Sequence, residues 1–145
     1  MERHSTYDDV NLILRLYDLR REAKLRHARE WFGKSFKAAT MEQFLELCPV
    51  GSDNNAYFRM VVSYWEMVAS FVTGGVLNPE LFFQSGGELL FSFEKIRDLL
   101  PSVRQAFQNP YYLKNLETVA GDFIQWMEKR APGSYAGFQA RVRGA

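Results

Sequence analysis

The chain has 145 residues, of which 47% are hydrophobic and 15% aromatic, and its formal net charge is +1. This length suits one domain with a sizeable core, and this composition excludes an intrinsically disordered chain. Its single cysteine, Cys48, excludes an internal disulfide and predicts a reducing compartment, which we take to be the cytoplasm. Arg59 and Glu66 interrupt the longest apolar stretch, so we expect no membrane span. The N-terminus also lacks the apolar segment of a secretory signal.

Charge is distributed unevenly along the chain. Residues 15–37 carry eight Lys or Arg against three acidic residues, a net of +5, whereas residues 38–98 carry three against eight, a net of −5. A basic segment of this kind can attract an anionic partner. Asp18 and Glu22 lie on its basic helical face and would repel phosphates, so we predict no nucleic-acid binding. Packing of oppositely charged helices explains the split more simply.

The first predicted helix follows Asp8 or Asp9, either of which can cap it, and runs to about Phe32. Its broad apolar face is expected to meet the core, and a smaller apolar row beside it indicates a second neighbour. The broad face comprises Val10, Ile13, Leu14, Tyr17, Ala28, Trp31 and Phe32. The smaller row comprises Leu12, Leu16, Leu19 and Ala23. Arg20, Arg21 and Lys24 fall within or beside the broad face.

The most apolar predicted helix runs from residue 54 to residue 73, and the fold is expected to be organised around it. A capping-box pattern at Thr40 and Gln43 places a short helix before it, and Gly74-Gly75 ends it. Apolar side chains occupy nearly all of its sides, so other helices should surround it. The narrow polar stripe that remains comprises Arg59, Ser63, Glu66, Ser70 and Thr73.

The segment after Asn78-Pro79 permits two interpretations. Residues 85–88 (Ser-Gly-Gly-Glu) would allow a break and a new capping box. However, the apolar phase from Phe82 to Leu100 continues unbroken across the glycines. We therefore predict one helix over residues 79–99, with Gly86 facing a close-packed neighbour.

The last part of the domain is predicted to contain a short helix after Pro101 and a long amphipathic helix after Asn109-Pro110. Residues 133–145 are rich in glycine and basic, and we expect little fixed structure in this tail. The predicted fold is therefore all-α: a single-domain bundle, residues 1–132, of about four long and two short helices around a central buried helix.

The residues with catalytic chemistry do not form a recognisable motif. His27 and Glu30 lie one helical turn apart, but a di-metal bundle site needs this kind of pair twice, so a solvated surface pair is the better interpretation. Cys48 lies between Leu47 and Pro49 and is expected to be an inert, partly buried thiol. Neither glycine pair has the spacing of a phosphate-binding loop. We predict no catalytic residue, no metal and no cofactor.

Charged residues on apolar helices are the strongest sign of a site. Glu66 lies too far along its helix from Arg59 for a direct pair, and buried charges require partners. We therefore predict that Glu66 is mostly buried and paired with Arg21 of the first helix. The alternative is a polar pocket between helices that binds a small anionic ligand. Its lining would comprise Tyr17, Arg21, Arg59, Tyr64 and Glu66.

The run YFRMVVSYWEMVASFVTGGVLNPELFF, followed by an amphipathic stretch to LLPSVRQAF and a Tyr/Leu-rich final helix, resembles a bacterial family of small helical domains of unknown function. The resemblance spans residues 10–128 and implies an all-helical fold. The favoured functional hypothesis is a noncatalytic module that binds a protein partner or forms a homodimer, with Trp31 and Trp126 among its surplus apolar groups. The rival hypothesis is an anionic-ligand binder, or an enzyme, that uses the polar pocket.

Overall fold

The computed structural model describes residues 4–144, and every regular element within that range is an α-helix. This confirms the predicted all-α class, although the described residues form nine helices rather than six. In chain order they are α1 (Tyr7–Arg20), α2 (Ala23–Ser35), α3 (Met41–Leu47), α4 (Asp53–Thr73), α5 (Pro79–Phe83), α6 (Gly87–Ile96), α7 (Leu100–Phe107), α8 (Lys114–Arg130) and α9 (Ser134–Gly144).

Helix α4 is the centre of the core, as its composition predicts. It begins after Ser52, whose hydroxyl accepts a hydrogen bond from the amide of Asn55, and it ends at Gly74, before Gly75 with φ +79°. Helices α2 and α8 make its most extensive contacts, and α6 packs against it as well. Its fully buried side chains include Trp65, Val68 and Ala69. None of the described helices combines the length and the hydropathy needed to cross a membrane.

The predicted first helix is two helices, which corrects the single helix expected up to Phe32. The chain turns at Arg21 and Glu22, and the Glu22 carboxylate accepts a hydrogen bond from the amide of Leu25 at 3.1 Å. Glu22 thereby caps α2, and the backbone amides of Lys24 and Leu25 lower the pKa of its carboxyl. At the other end, Thr6 and Asp9 form the capping box of α1. Because the chain breaks here, α1 and α2 can bury different faces.

An ion pair links the basic segment, residues 15–37, to the acidic segment, residues 38–98. The Arg29 guanidinium binds the Glu88 carboxylate through two hydrogen bonds of 2.6 Å, which joins α2 to α6. This bidentate geometry is the strong form of an arginine–carboxylate pair. Packing between the basic and acidic segments therefore accounts for part of the uneven charge.

The continuous helix predicted over residues 79–99 is wrong, because α5 ends at Phe83 and α6 begins at Gly87. The expectation that Gly86 is closely packed is correct for a different reason. A Cβ atom on Gly86 would lie 2.5 Å from the ring of Phe82, one turn earlier in the chain. Phe82 is only 4% exposed, so its ring has little room to move.

We expect Gly86→Ala to lower the free energy of unfolding by about 1–3 kcal/mol, because the new methyl group overpacks the Phe82 ring. Gly87→Ala is the matched control: no atom lies within 4 Å of its added Cβ, and alanine favours the helix that begins there. Urea denaturation of both variants measures the difference. Equal stability of the two variants would show that the Phe82 ring moves aside without a cost in the free energy of unfolding.

The C-terminal segment is ordered, which corrects the expectation of little fixed structure after residue 132. Gly133, with φ +90°, turns the chain, and Ser134–Gly144 form α9. This helix packs against α6 and α8, and it buries Val142. Residues 134–144 are therefore a helix packed on the preceding helices.

Candidate functional site

The five residues predicted to line one pocket lie in two separate places. Tyr17, Arg21 and Tyr64 lie near the C-terminal end of α1, whereas Arg59 and Glu66 line a cleft between α4 and the segment that joins α7 to α8. Arg21 is not part of the cleft lining. The predicted pocket around Arg21, Arg59 and Glu66 is therefore not formed as one site.

Tyr64 attaches α4 to α1. Its side chain is buried, and its hydroxyl donates a short hydrogen bond to the backbone carbonyl of Leu16. Burial raises the pKa of Tyr64 to about 12, so the hydroxyl keeps its proton at neutral pH. Its neighbour Tyr17 is exposed, and the Arg21 guanidinium lies 5.4 Å from the Tyr17 ring centroid. Packing of α4 against α1 therefore explains the position of Tyr64.

Glu66 caps helix α8. Its two carboxylate oxygens accept hydrogen bonds of 2.8 Å from the amide of Leu116 and from the Asn115 side chain. The residue before α8, Leu113, has a left-handed conformation and makes no side-chain cap of its own. A carboxylate at a helix N-terminus satisfies free amides and complements the helix dipole. This explains why the most apolar helix of the chain carries an acidic residue.

The predicted Glu66–Arg21 ion pair is wrong. Glu66 is half-buried, Arg21 is exposed, and no Lys or Arg within residues 4–144 forms an ion pair with Glu66. A partly buried carboxylate does not require a cationic side chain as its partner. The backbone amides at the start of another helix supply the positive potential that the carboxylate needs.

We expect Glu66→Ala to lower the free energy of unfolding by about 1–3 kcal/mol, because the α8 N-terminus loses its cap. Double-mutant cycles from urea denaturation then separate the two possible partners. Glu66 and Asn115 should be coupled, whereas Glu66→Ala and Arg21→Ala should be additive. Strong coupling to Arg21 would restore the ion-pair interpretation, and an unchanged stability of Glu66→Ala would exclude the cap.

The cleft beside Glu66 has a volume of about 690 Å³. One wall is the polar stripe of α4, and the other is the segment 107–113. Phe44 and Phe58 contribute apolar lining, and their rings lie 4.8 Å apart as part of an aromatic cluster that also contains Phe32 and Phe36. The cleft is thus a mainly apolar groove with polar groups along one side.

The segment 107–113 was not predicted as part of a site. Gln108 and Leu113, both non-glycine residues, have positive φ angles of 52° and 56° at its two ends. Such conformations are uncommon for these residue types. Arg104 holds the segment through a 2.9 Å hydrogen bond to the carbonyl of Tyr112. The adjacent aromatic residues in Asn109-Pro110-Tyr111-Tyr112, between two helices, were the available sequence signal.

The outward face of α1 is the second candidate site. It comprises Tyr7, Val10, Leu14 and Tyr17, whose exposed fractions are 77%, 39%, 57% and 46%. The prediction that the whole broad apolar face meets the core is wrong for Val10, Leu14 and Tyr17. Its other members, Ile13, Ala28, Trp31 and Phe32, are buried or pack against the core. The outward face is therefore an apolar stripe that the described part of the chain leaves uncovered.

Trp31 and Trp126 do not provide the surplus apolar surface that the sequence suggested. Both side chains are partly buried and pack against the core. The Trp126 ring contacts Phe83 and Phe123, and the Arg130 guanidinium lies 4.4 Å from its centroid. Among the described residues, the helix with the most exposed large apolar side chains is α1.

A buried carboxylate lies between α6 and α9. The Glu94 side chain is fully buried and forms two hydrogen bonds, of 2.7 and 3.0 Å, with the Arg97 guanidinium. Tyr135 donates a short hydrogen bond to Glu94, and Gln139 lies 3.5 Å from it. Burial raises the pKa of Glu94, but the bonds from Arg97 and Tyr135 outweigh burial and hold it below 4.5. The cluster stays charged and attaches α9.

The remaining residues considered for chemistry occupy structural positions. His27 packs edge-on against Tyr57, and Glu30 forms an ion pair with Lys34. Burial raises the pKa of the Cys48 thiol to about 11, which leaves it unreactive at neutral pH. Within residues 4–144, no group of three or more His, Cys, Asp or Glu side chains is arranged to hold a metal ion.

Comparison with known proteins places the chain in a family. The family described as "Domain of unknown function (DUF4760)" matches residues 5–126. The chain belongs to this family. The match confirms the resemblance to a family of unknown function. No curated protein and no solved structure matches the chain. In this DUF4760 chain the matched segment includes α1 and the cleft, whereas α9 lies beyond it.

Proposed function

We propose that this DUF4760 domain is a noncatalytic module that forms a symmetric homodimer through the outward face of α1. The observation that carries the proposal is the spacing of Tyr7, Val10, Leu14 and Tyr17. These exposed residues follow one another by three, four and three positions, which places them on one side of the helix. This is the pattern by which two helices bury an apolar seam.

The charges on α1 favour an antiparallel arrangement. Its first turn contains the exposed Asp8, whereas Arg20 and Arg21 lie at its other end. In an antiparallel pair, the acidic end of each helix lies beside the basic end of its partner, and the helix dipoles oppose each other. A parallel pair would instead bring Arg21, which continues the apolar stripe, close to its own copy.

The stripe also has a symmetric order of side chains that suits an antiparallel pair. An aromatic residue stands at each end and two aliphatic residues lie between them. In the antiparallel arrangement Tyr7 lies opposite the second copy's residue 17, and Val10 lies opposite its residue 14. A two-fold axis perpendicular to α1 relates the two helices, which makes the contact self-complementary and closed.

The expected affinity is modest. Stable interfaces bury about 1,200–2,000 Å² in total with roughly 20–30 residues from each partner, and four side chains from each copy bury less than that. We therefore expect a dissociation constant on the order of 10–100 μM. Both copies would occupy the same reducing compartment, and we propose the cytoplasm. Its support is Cys48, a buried thiol without a disulfide.

Sedimentation velocity over a range of protein concentrations tests the proposal. The full chain should change from monomer to dimer across this micromolar range, and Leu14→Asp should remain monomeric because it places a charge in the seam. Leu45→Asp is the matched control, since Leu45 is 46% exposed on α3 and lies outside the stripe. A full chain that stays monomeric at several hundred micromolar would contradict the proposal, as would equal effects of the two substitutions.

A further inference from the structure

Arg59 is a cation available to a ligand in the cleft between α4 and segment 107–113. Its Nε donates a 3.0 Å hydrogen bond to the Asn55 side chain, and no acidic residue within residues 4–144 forms an ion pair with it. The acidic residue in the cleft lining is Glu66, whose oxygens already accept bonds from Asn115 and Leu116. The terminal nitrogens of Arg59 are therefore available for an anion.

The rest of the cleft suits a flat apolar group. Phe58 and Val62 lie along α4, and Phe107 and Tyr111 face them from the connecting segment. Phe107 and Tyr111 are exposed, so their rings are free to contact a ligand. The volume of about 690 Å³ falls within the range of small-molecule sites, roughly 300–1,000 Å³.

The charges at the two ends of the cleft limit the charge of the ligand. Arg59 and Glu66 are seven residues apart on one helix, a rise of about 10 Å. One end of the cleft is thus cationic and the other ends at a carboxylate that would repel a second negative charge. A singly charged ligand with its anionic group at the Arg59 end fits this distribution.

Tyr112 adds a hydrogen-bond donor to the lining. Burial and the nearby Glu66 charge raise the pKa of its phenol, which therefore keeps its proton at neutral pH. The left-handed residues Gln108 and Leu113, together with the bond from Arg104, fix the backbone that carries this ring. Preorganised walls lower the cost of binding a small ligand.

The geometry points to an aromatic carboxylate as the ligand of this cleft. The guanidinium of Arg59 matches a carboxylate through two parallel hydrogen bonds, and the aromatic body lies against the exposed rings of Phe107 and Tyr111. A phosphate ester fits less well, because it carries up to two negative charges and meets a single cation here. This site is independent of the α1 interface.

An NMR titration of the ¹⁵N-labelled full chain with 3-phenylpropanoate tests the inference. We expect saturable shifts of the backbone amides in α4 and in residues 107–113. The neutral analogue 3-phenylpropanamide and the ring-free propanoate should each bind at least about tenfold more weakly, because each lacks one half of the recognised chemistry. Equal binding of the acid and its amide would overturn the inference.

Two arginine variants complete the test. Arg59→Gln should weaken 3-phenylpropanoate binding at least about tenfold, because it removes the charged partner. Arg15→Gln, at an exposed arginine of α1 outside the cleft, should leave binding unchanged. Shifts that do not saturate, that map outside the cleft, or that persist undiminished in Arg59→Gln would overturn the inference. The same spectra show whether each variant is folded.

Discussion

A chain that ends at residue 132 should be much less stable than the full chain, by about 4 kcal/mol in the free energy of unfolding. Removal of α9 takes away the buried Val142 and the partly buried Tyr135 and Phe138, which cover apolar surface of α6 and α8. It also leaves the buried Glu94 carboxylate without its bonds from Tyr135 and Gln139. The expected fall in melting temperature is on the order of 10 °C.

Arg143→Ala in the full chain is the control for this truncation. Arg143 forms an ion pair with Asp98, but both side chains are about half exposed, so the loss should be below about 1 kcal/mol. Calorimetry of the truncated chain and the variant compares the two. A truncated chain that melts with the full chain would show that α9 contributes nothing to the domain, and that the family match ending at residue 126 marks its full extent.

Glu94→Ala should lower the free energy of unfolding by about 3 kcal/mol, because it removes the acceptor that three side chains share in a buried cluster. Arg97, which is about one third exposed, can turn toward water and limits the loss. Glu46→Ala is the control, since Glu46 is exposed on α3. Urea denaturation should separate the two variants clearly, and equal stability would contradict the structural role of the cluster.

The pH dependence of Glu94 gives the same cluster an independent test. Its pKa in the folded protein lies below the ordinary value of 4.5. A depressed carboxyl pKa stabilises the folded state fully above the ordinary value, and this contribution is lost as the pH falls through the folded pKa. The stability difference between the full chain and Glu94→Gln should therefore be constant near pH 7 and should shrink below about pH 4.5. A difference that grows toward low pH would contradict this sign.

The central position of α4 could be predicted from its composition alone. Apolar residues on nearly every side of a helix must be covered from several directions, whatever the connections between elements. The breaks at Glu22 and Gly86 could not be predicted in the same way. Apolar periodicity continues across both. A local side-chain cap marks the first break, and at the second the Phe82 ring packs so closely on Gly86 that a Cβ atom would not fit.

The orientation of α1 was missed for a related reason. Periodicity shows how wide an apolar face is, but not whether the rest of the chain covers it. Leu12 and Leu16 of the narrower row face the core, where the Tyr64 hydroxyl donates to the carbonyl of Leu16 and the Asp9 carboxylate accepts a bond from the amide of Asn78. These contacts link residues 48 and 69 positions apart. The apolar face that remains outside is what the dimer proposal uses.

Two of the residues predicted to line a polar pocket, Arg59 and Glu66, line the candidate cleft. Arg59 and Glu66 stand out in the sequence because charges on an apolar helix need partners. Arg59 finds its hydrogen-bond partner, Asn55, on the same helix, whereas the partners of Glu66 come from elsewhere in the chain. The partner of Glu66 is a backbone amide of α8, and the facing wall is the connection between α7 and α8. A backbone amide has no signature in side-chain identity, and the adjacent tyrosines of the connection do not reveal which helix they lie against, so only the fold brings these groups together.

A directed disulfide experiment tests the α1 interface most directly. Variants Val10→Cys and Leu14→Cys are mixed under mild oxidation, with native Cys48 buried and Val50→Cys as an exposed control outside the interface. The antiparallel seam predicts a disulfide between residue 10 of one copy and residue 14 of the other, formed faster than any disulfide within a single variant or with the control. Disulfides formed at the control's rate would contradict the interface, and a preference for pairs of identical positions would contradict its antiparallel register.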